Sequence, residues 1–164
     1  SRHSRNLFRL CSRLLLYLHF TEKQEMEIRR LDGTDRKLYE LVAPLVMDPL
    51  ILKQNNNYPF KTSSRHIWYI AFEGDDIIGF MPVKSSSAGL CIDNYYIKDD
   101  REDTISAILY RIEEDTAPAS LLTALVHKRH VAAFTKNCFR TWIEWKNYEK
   151  MDYNPLLKKN GKTA

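Results

Sequence analysis

Hydrophobic and polar positions alternate most clearly near the middle of the chain. Residues 66–72 and 77–83 are β-rich runs on either side of Glu73-Gly74-Asp75-Asp76, a pattern that predicts an antiparallel hairpin closed by a Gly and Asp turn. A third run, 90–97, is reached through Ser85-Ser86-Ser87-Ala88-Gly89. It is β-branched, aromatic and apolar enough for a central strand, and Pro82 lies near the end of the strand before it. Helical spacing takes over at Leu38, Leu41, Val42 and Leu45, and again at Ile105, Ile108, Leu109 and Ile112, predicting helices over 35–46 and 104–115. Residues 26–31 predict a strand ahead of the first helix. Pro44 and Pro49 are expected to break the chain there, and Gln54 to Asn57 with Pro59 reads as a loop and a candidate substrate lip. After Ala117-Pro118-Ala119, residues 121–126 predict a short buried strand, 130–137 a small helix and 139–146 a final strand. The order βα(α)βββαβαβ gives a mixed, mostly antiparallel sheet with helices on both faces, of the α/β or α+β class.

Length and composition narrow this further. A chain of 164 residues favours one domain with one packed core. With 44% hydrophobic and 28% charged residues and only 5 Gly and 6 Pro, the disordered, collagen-like and low-complexity classes are excluded. Cys11, Cys91 and Cys138 are odd in number, form no C-x-x-C pair and have no His at ligand spacing. Neither a disulfide framework nor a metal site is expected, and the free thiols suit a reducing cytoplasm.

The net charge of +4 is local rather than global. Arg2, Arg5, Arg9 and Arg13 occur in a stretch, 1–21, with no acidic residue, which leaves 21 basic and 21 acidic side chains elsewhere. No cluster beyond Lys128 and Arg129 offers a phosphate-binding face, so nucleic acid is not an expected partner. On a helical wheel the leader places Arg5, Arg9 and Arg13 on one edge and Leu7, Leu10, Leu14 and Leu18 opposite. Membrane-surface contact, an organelle address and packing on a partner all remain open for it. The expected organisation is an extension over 1–25, a domain over 26–151 and a flexible tail over 152–164.

Two segments carry a resemblance. Trp68-Tyr69-Ile70-Ala71-Phe72-Glu73-Gly74-Asp75-Asp76-Ile77-Ile78-Gly79-Phe80 is similar to the second-to-third strand hairpin of the GCN5-related N-acetyltransferase (GNAT) superfamily. Phe134-Thr135-Lys136-Asn137-Cys138-Phe139 is similar to that family's closing Tyr-x-x-x-Gly-Phe, with Phe134 and Cys138 where Tyr and Gly are usual. The resemblance covers residues 26–151 and implies acetyl-CoA, or another acyl-CoA, as cosubstrate in a V-shaped gap between the strands at 90–97 and 121–126. The pantetheine arm would pair near Tyr95, Tyr96 and Ile97, and the pyrophosphate would meet the start of the next helix, where free amides and partial positive charge suit an anion. The family's phosphate loop corresponds to Arg101-Glu102-Asp103-Thr104-Ile105-Ser106. Here Thr104 and Ser106 replace two small residues, and Glu102 and Asp103 put carboxylates where phosphate would sit. A second reading of the same residues is that Asp103 or Thr104 caps the helix.

Acyl transfer to an amine needs a proton acceptor, oxyanion donors and an acid for the leaving thiolate. The resemblance puts that acid at Phe134, which has no proton to give. His127 and His130 lie close in sequence, but beside Lys128 and Arg129 they read as solvated surface residues. Glu73 reads as a solvated turn carboxylate. Asp93, within Cys91-Ile92-Asp93-Asn94-Tyr95, must face water or hold a partner, and it is the candidate base with Tyr95 beside it. Cys91 and Cys138 read as core. The expected catalytic residues are thus Asp93 and Tyr95, and the expected cofactor contacts are Tyr96, Ile97, Arg101 to Ser106 and Phe134. The expected function is transfer of acetyl from acetyl-CoA to a primary amine of a small molecule or peptide, in a cytoplasmic monomer or homodimer. The alternative is a GNAT-like binding or interaction module that has lost acetyl-CoA.

Overall fold

The structure, a computed structural model, describes residues 24–160. The basic leader over 1–23, with its membrane and address readings, and the last four residues of the tail lie outside the described residues. β1 (Met26–Asp32) leads into α1 (Arg36–Val46) and α2 (Pro49–Gln54), followed by β2 (His66–Glu73), β3 (Asp76–Ser86), β4 (Gly89–Ile92) and the two-residue β5 (Tyr96–Ile97). Then come α3 (Glu102–Asp115), β6 (Leu122–His127), α4 (Val131–Lys136), β7 (Phe139–Glu144), β8 (Tyr148–Tyr153) and α5 (Leu157–Asn160).

The strands form one mixed sheet in the order β1-β2-β3-β4-β6-β8-β7, with β5 on β3. All pairings are antiparallel except β4 with β6. Alternation along β2 divides its side chains between two cores. Trp68, Ile70 and Phe72 pack with Leu38 and Val42 of α1, while Tyr69 and Ala71 belong to the core that holds Ile105, Ile108, Leu109 and Ile112 of α3. The hairpin turns at Gly74, whose φ of 61° is a left-handed conformation open to glycine without a Cβ penalty.

Four expectations are corrected. Pro44 does not end the first helix, which runs on to Val46, and Pro49 instead opens α2 at a first-turn position where its missing N–H is no loss. The strand expected over 90–97 is broken: β4 stops at Ile92, and the chain resumes pairing only at Tyr96. β3 bonds β4 at Val83–Ser86 and β5 at Gly79–Phe80, so the break lies opposite Met81 and Pro82, where proline lacks a ladder donor. The tail begins later than residue 152, because β8 runs through Tyr153 between β6 and β7, and Lys158 reaches Glu113 of α3 at 3.2 Å. Finally, the last hairpin escapes the sequence pattern because Glu149, Lys150 and Asp152 are poor strand formers. Cross-strand contacts hold it instead, including Thr141 donating to Glu149 at 2.7 Å and Lys150 over the Trp142 ring at 5.1 Å.

Candidate functional site

β4 and β6 run side by side for only three rungs, Leu90 with Leu122, Cys91 with Thr123 and Ile92 with Ala124. Past that seam they part. Tyr96 and Ile97 stay with β3, while Leu125, Val126 and His127 pair with β8. The resulting opening is the place where the sequence resemblance implies a cofactor.

Side chains of this chain occupy it. Tyr95, His127 and His130 are 3%, 4% and 2% exposed, and Phe134 is wholly buried against the Tyr95 ring at 5.6 Å. The Tyr95 hydroxyl donates to His130 Nδ1 at 2.8 Å and accepts the His127 backbone N–H at 3.2 Å. His130 Nε2 lies 2.6 Å from Asp100 Oδ1, and a carboxylate partner assigns the ring proton to Nε2. His127 Nε2 bonds Asn55 Oδ1 at 3.1 Å, and Asn55 Nδ2 bonds the Tyr58 carbonyl at 2.9 Å and also the Asn94 side chain. The void left among these groups is about 10 Å³, room for about one water molecule.

Both histidines are therefore buried, contrary to the solvated surface reading. Lys128 turns out to Glu144 at 2.6 Å, and Arg129 joins His130 on Asp100 Oδ1 at 2.9 Å, so charged neighbours in sequence do not hold the rings in solvent. The usable signal was the four-residue spacing of His130 and Phe134, which puts both on one helical face. Burial pushes the His127 imidazole down to about 4 and lowers that of His130. It also raises the Tyr95 phenol well above its ordinary range.

The start of α3 is equally closed to an anion. The Arg101 guanidinium bridges Asp103, at 2.8 and 3.1 Å, and Glu73, at 3.1 and 3.3 Å. Glu73 is thus an ion-pair partner rather than a solvated turn carboxylate. Asp103 Oδ1 accepts the Thr104 N–H at 2.9 Å from within the first turn, while the cap position belongs to Arg101, whose side chain makes no cap hydrogen bond. Asp103 therefore satisfies a first-turn donor without being the cap. Glu102 holds Lys136 at 3.0 Å, Ile105 is core, and the Ser106 hydroxyl accepts from Asn137 at 3.0 Å. Among the described residues the Thr104 hydroxyl has no partner, but it is wholly buried and so offers nothing to a ligand outside. Tyr96 packs on Phe80 at 5.6 Å, and Ile97 is core.

Glu102 and Asp103 place two carboxylates at the start of α3, where a phosphate would lie, and Lys136 and Arg101 are already matched to them. Two like charges about 4 Å apart near a protein surface repel by about 4 kcal/mol. The residues present do not fit coenzyme A: the arm meets a packed polar core and the pyrophosphate meets carboxylates.

On the other side of the same break is open space. A cavity of about 350 Å³ is lined by Tyr58, Pro59, Lys61, Asp93, Asn94, Leu125, Trp145 and Tyr148. Asp93 stands exposed on its wall, whereas Tyr95 turns away into the closed opening, so the two expected catalytic residues face different spaces. Asn94 is engaged in structure, donating to the Pro59 carbonyl at 3.1 Å. The Tyr148 hydroxyl accepts from Asn56 at 2.6 Å. Cys138 has a φ of 69°, the left-handed conformation that the usual glycine at the matched position would take.

No family model and no curated protein matches the sequence. Solved structures do match. ElaA of Escherichia coli superposes with a TM-score of 0.64 at 10% identity, over 78% of this chain and 99% of its own. An acyl-CoA N-acyltransferase from Pseudomonas aeruginosa gives 0.61 at 10% identity, over 79% and 100%. The PaiA N-acetyltransferase from Thermoplasma acidophilum, solved with coenzyme A, gives 0.51 at 16% identity, over 79% and 99%. Together with the short parallel seam and the parting strands, these likenesses show that the chain has the GNAT acyl-CoA N-acyltransferase fold.

Proposed function

We propose that this chain is a ligand-binding module on the GNAT fold, with its ligand in the cavity beside Asp93 and without use of acetyl-CoA. The observation that carries this reading is the Tyr95 hydroxyl, bonded to the His127 amide and to His130 in the opening where a pantetheine arm would run. Inserting a ligand arm there would strip buried polar groups of their partners, at about 1–3 kcal/mol for each group left unsatisfied.

The rival reading is acetyl transfer from acetyl-CoA to a primary amine, with Asp93 as base. Its specific support is that the strands part past Ile92 and Ala124, as the fold's transferases require, and that PaiA was solved with coenzyme A. Thermal denaturation with and without millimolar acetyl-CoA decides between the two, because a ligand of the native state must stabilise it. The proposed module keeps an unchanged Tm. A rise of several degrees, the response expected from about 2.7 kcal/mol of binding at a hundredfold excess over Kd, overturns it in favour of the transferase.

A further inference from the structure

The open cavity holds two charged side chains that have no contacting ionic partner among the described residues. Asp93 and Lys61 both line it, and among the described residues neither makes an ion pair or a side-chain hydrogen bond. The contrast with the rest of the site is chemical. Arg101, Lys128, Arg129 and Lys136 each carry a carboxylate, and the Asn94 and Tyr148 side chains on the cavity wall are engaged by Asn55, Pro59 and Asn56.

Lys61 comes from the loop after α2 and Asp93 from the break after β4. Opposite charges on separate segments that face one space without reaching each other suit a ligand bearing both signs. Tyr58, Leu125, Trp145 and Tyr148 supply apolar and aromatic wall. An ammonium beside a carboxylate and aromatic faces is favoured by both. The volume of about 350 Å³ lies within the range of small-molecule sites.

The geometry points to a zwitterionic occupant, an α-amino acid or a compound with the same head group and an apolar or aromatic body. Asp93 takes its ammonium, Lys61 takes its carboxylate, and its body lies against Tyr58, Leu125 and Trp145. The inference rests on the reading of this cavity as the ligand site and deepens it by naming the ligand class.

Calorimetric titration of the full chain with L-phenylalanine, L-phenylalaninamide and N-acetyl-L-phenylalanine tests it, since the last two each lack one charge. Phenylalanine is expected to bind about tenfold more tightly than either derivative. Asp93→Asn should abolish its advantage over the N-acetyl compound, and Lys61→Met its advantage over the amide. Both side chains are exposed, so the variants keep the fold. Equal binding of the three compounds, indifference to both substitutions, or no binding of phenylalanine at about 10 mM overturns the zwitterion. A thermal shift with acetyl-CoA defeats the closed-opening reading by itself, so the two failures are separately visible.

Discussion

Two spaces border the same short segment, Asp93 to Tyr95, and they differ in how their polar groups are satisfied. Toward α4, Tyr95, His127, His130 and Asn55 bond one another around a void of about 10 Å³. Toward the β7–β8 turn, Asp93 and Lys61 stand without contacting ionic partners among the described residues, around about 350 Å³. A buried polar group with its partners in place specifies the fold, while a charged group held at an open cavity without one is available to a ligand. The family likeness alone would have placed the chemistry in the first space. The ligand site we propose lies in the second, where the charged groups lack contacting partners among the described residues.

The largest effect expected to test that contrast is acid sensitivity. The His127 ring is neutral in the fold, down to about 4, whereas an unfolded histidine titrates near its ordinary value of 6.5. As pH falls from 6.5 toward 4, the unfolded chain gains a proton that the folded chain refuses, so stability present above 6.5 is lost across that window. The shift corresponds to a loss on the order of 3 kcal/mol. Denaturant titrations at several pH values should show this fall, and His127→Gln, which cannot titrate, should show a shallower one. Identical slopes would mean that His127 is not held neutral by burial.

A smaller loss is expected from Tyr95→Phe. It keeps the ring on Phe134 but leaves the His127 amide and His130 Nδ1 without their partner, at about 1–3 kcal/mol by chemical denaturation. A variant as stable as the parent would reduce the network to a geometric coincidence. The smallest effect belongs to the open side, where Asp93→Asn and Lys61→Met should each change stability by no more than about 0.5 kcal/mol. A loss of about 2 kcal/mol from either would make that charge structural and remove the distinction between the two spaces.

The half of the sheet built from β1 to β3 was legible because its side chains obey a single rule. Trp68, Ile70 and Phe72 alternate with Tyr69 and Ala71, and Ile105, Ile108, Leu109 and Ile112 repeat at helical spacing. The other half was less so. Residues 90–97 look uniformly strand-like, yet pairing lapses opposite Met81 and Pro82 because the outcome depends on a neighbouring strand rather than on the run itself. β8 reads as polar because only Met151 of its side chains is fully buried, the backbone ladder to β6 and β7 doing what hydrophobicity does elsewhere.

The site divided in the same way. Asp93 stands out in the sequence because a carboxylate amid apolar residues must face water or hold a partner, and it lies exposed on the wall of the open cavity. His127 and His130 read as exposed because their sequence neighbours are charged, although Lys128 turns out to Glu144 and Arg129 shares Asp100 with His130. That Arg101 is spent on Glu73 and Asp103 required knowing that the β2–β3 turn comes to the start of α3, which no local pattern states.

The three-rung seam between β4 and β6 divides the sheet into two plates joined by a narrow hinge. Beyond it the plates are fastened by Tyr95, whose hydroxyl reaches from the β4–β5 segment to the amide at the end of β6 and to the imidazole just ahead of α4. That phenol acts as a latch. Separating the plates would break both of its bonds together with those that join Asn55 to His127 and Asn56 to Tyr148.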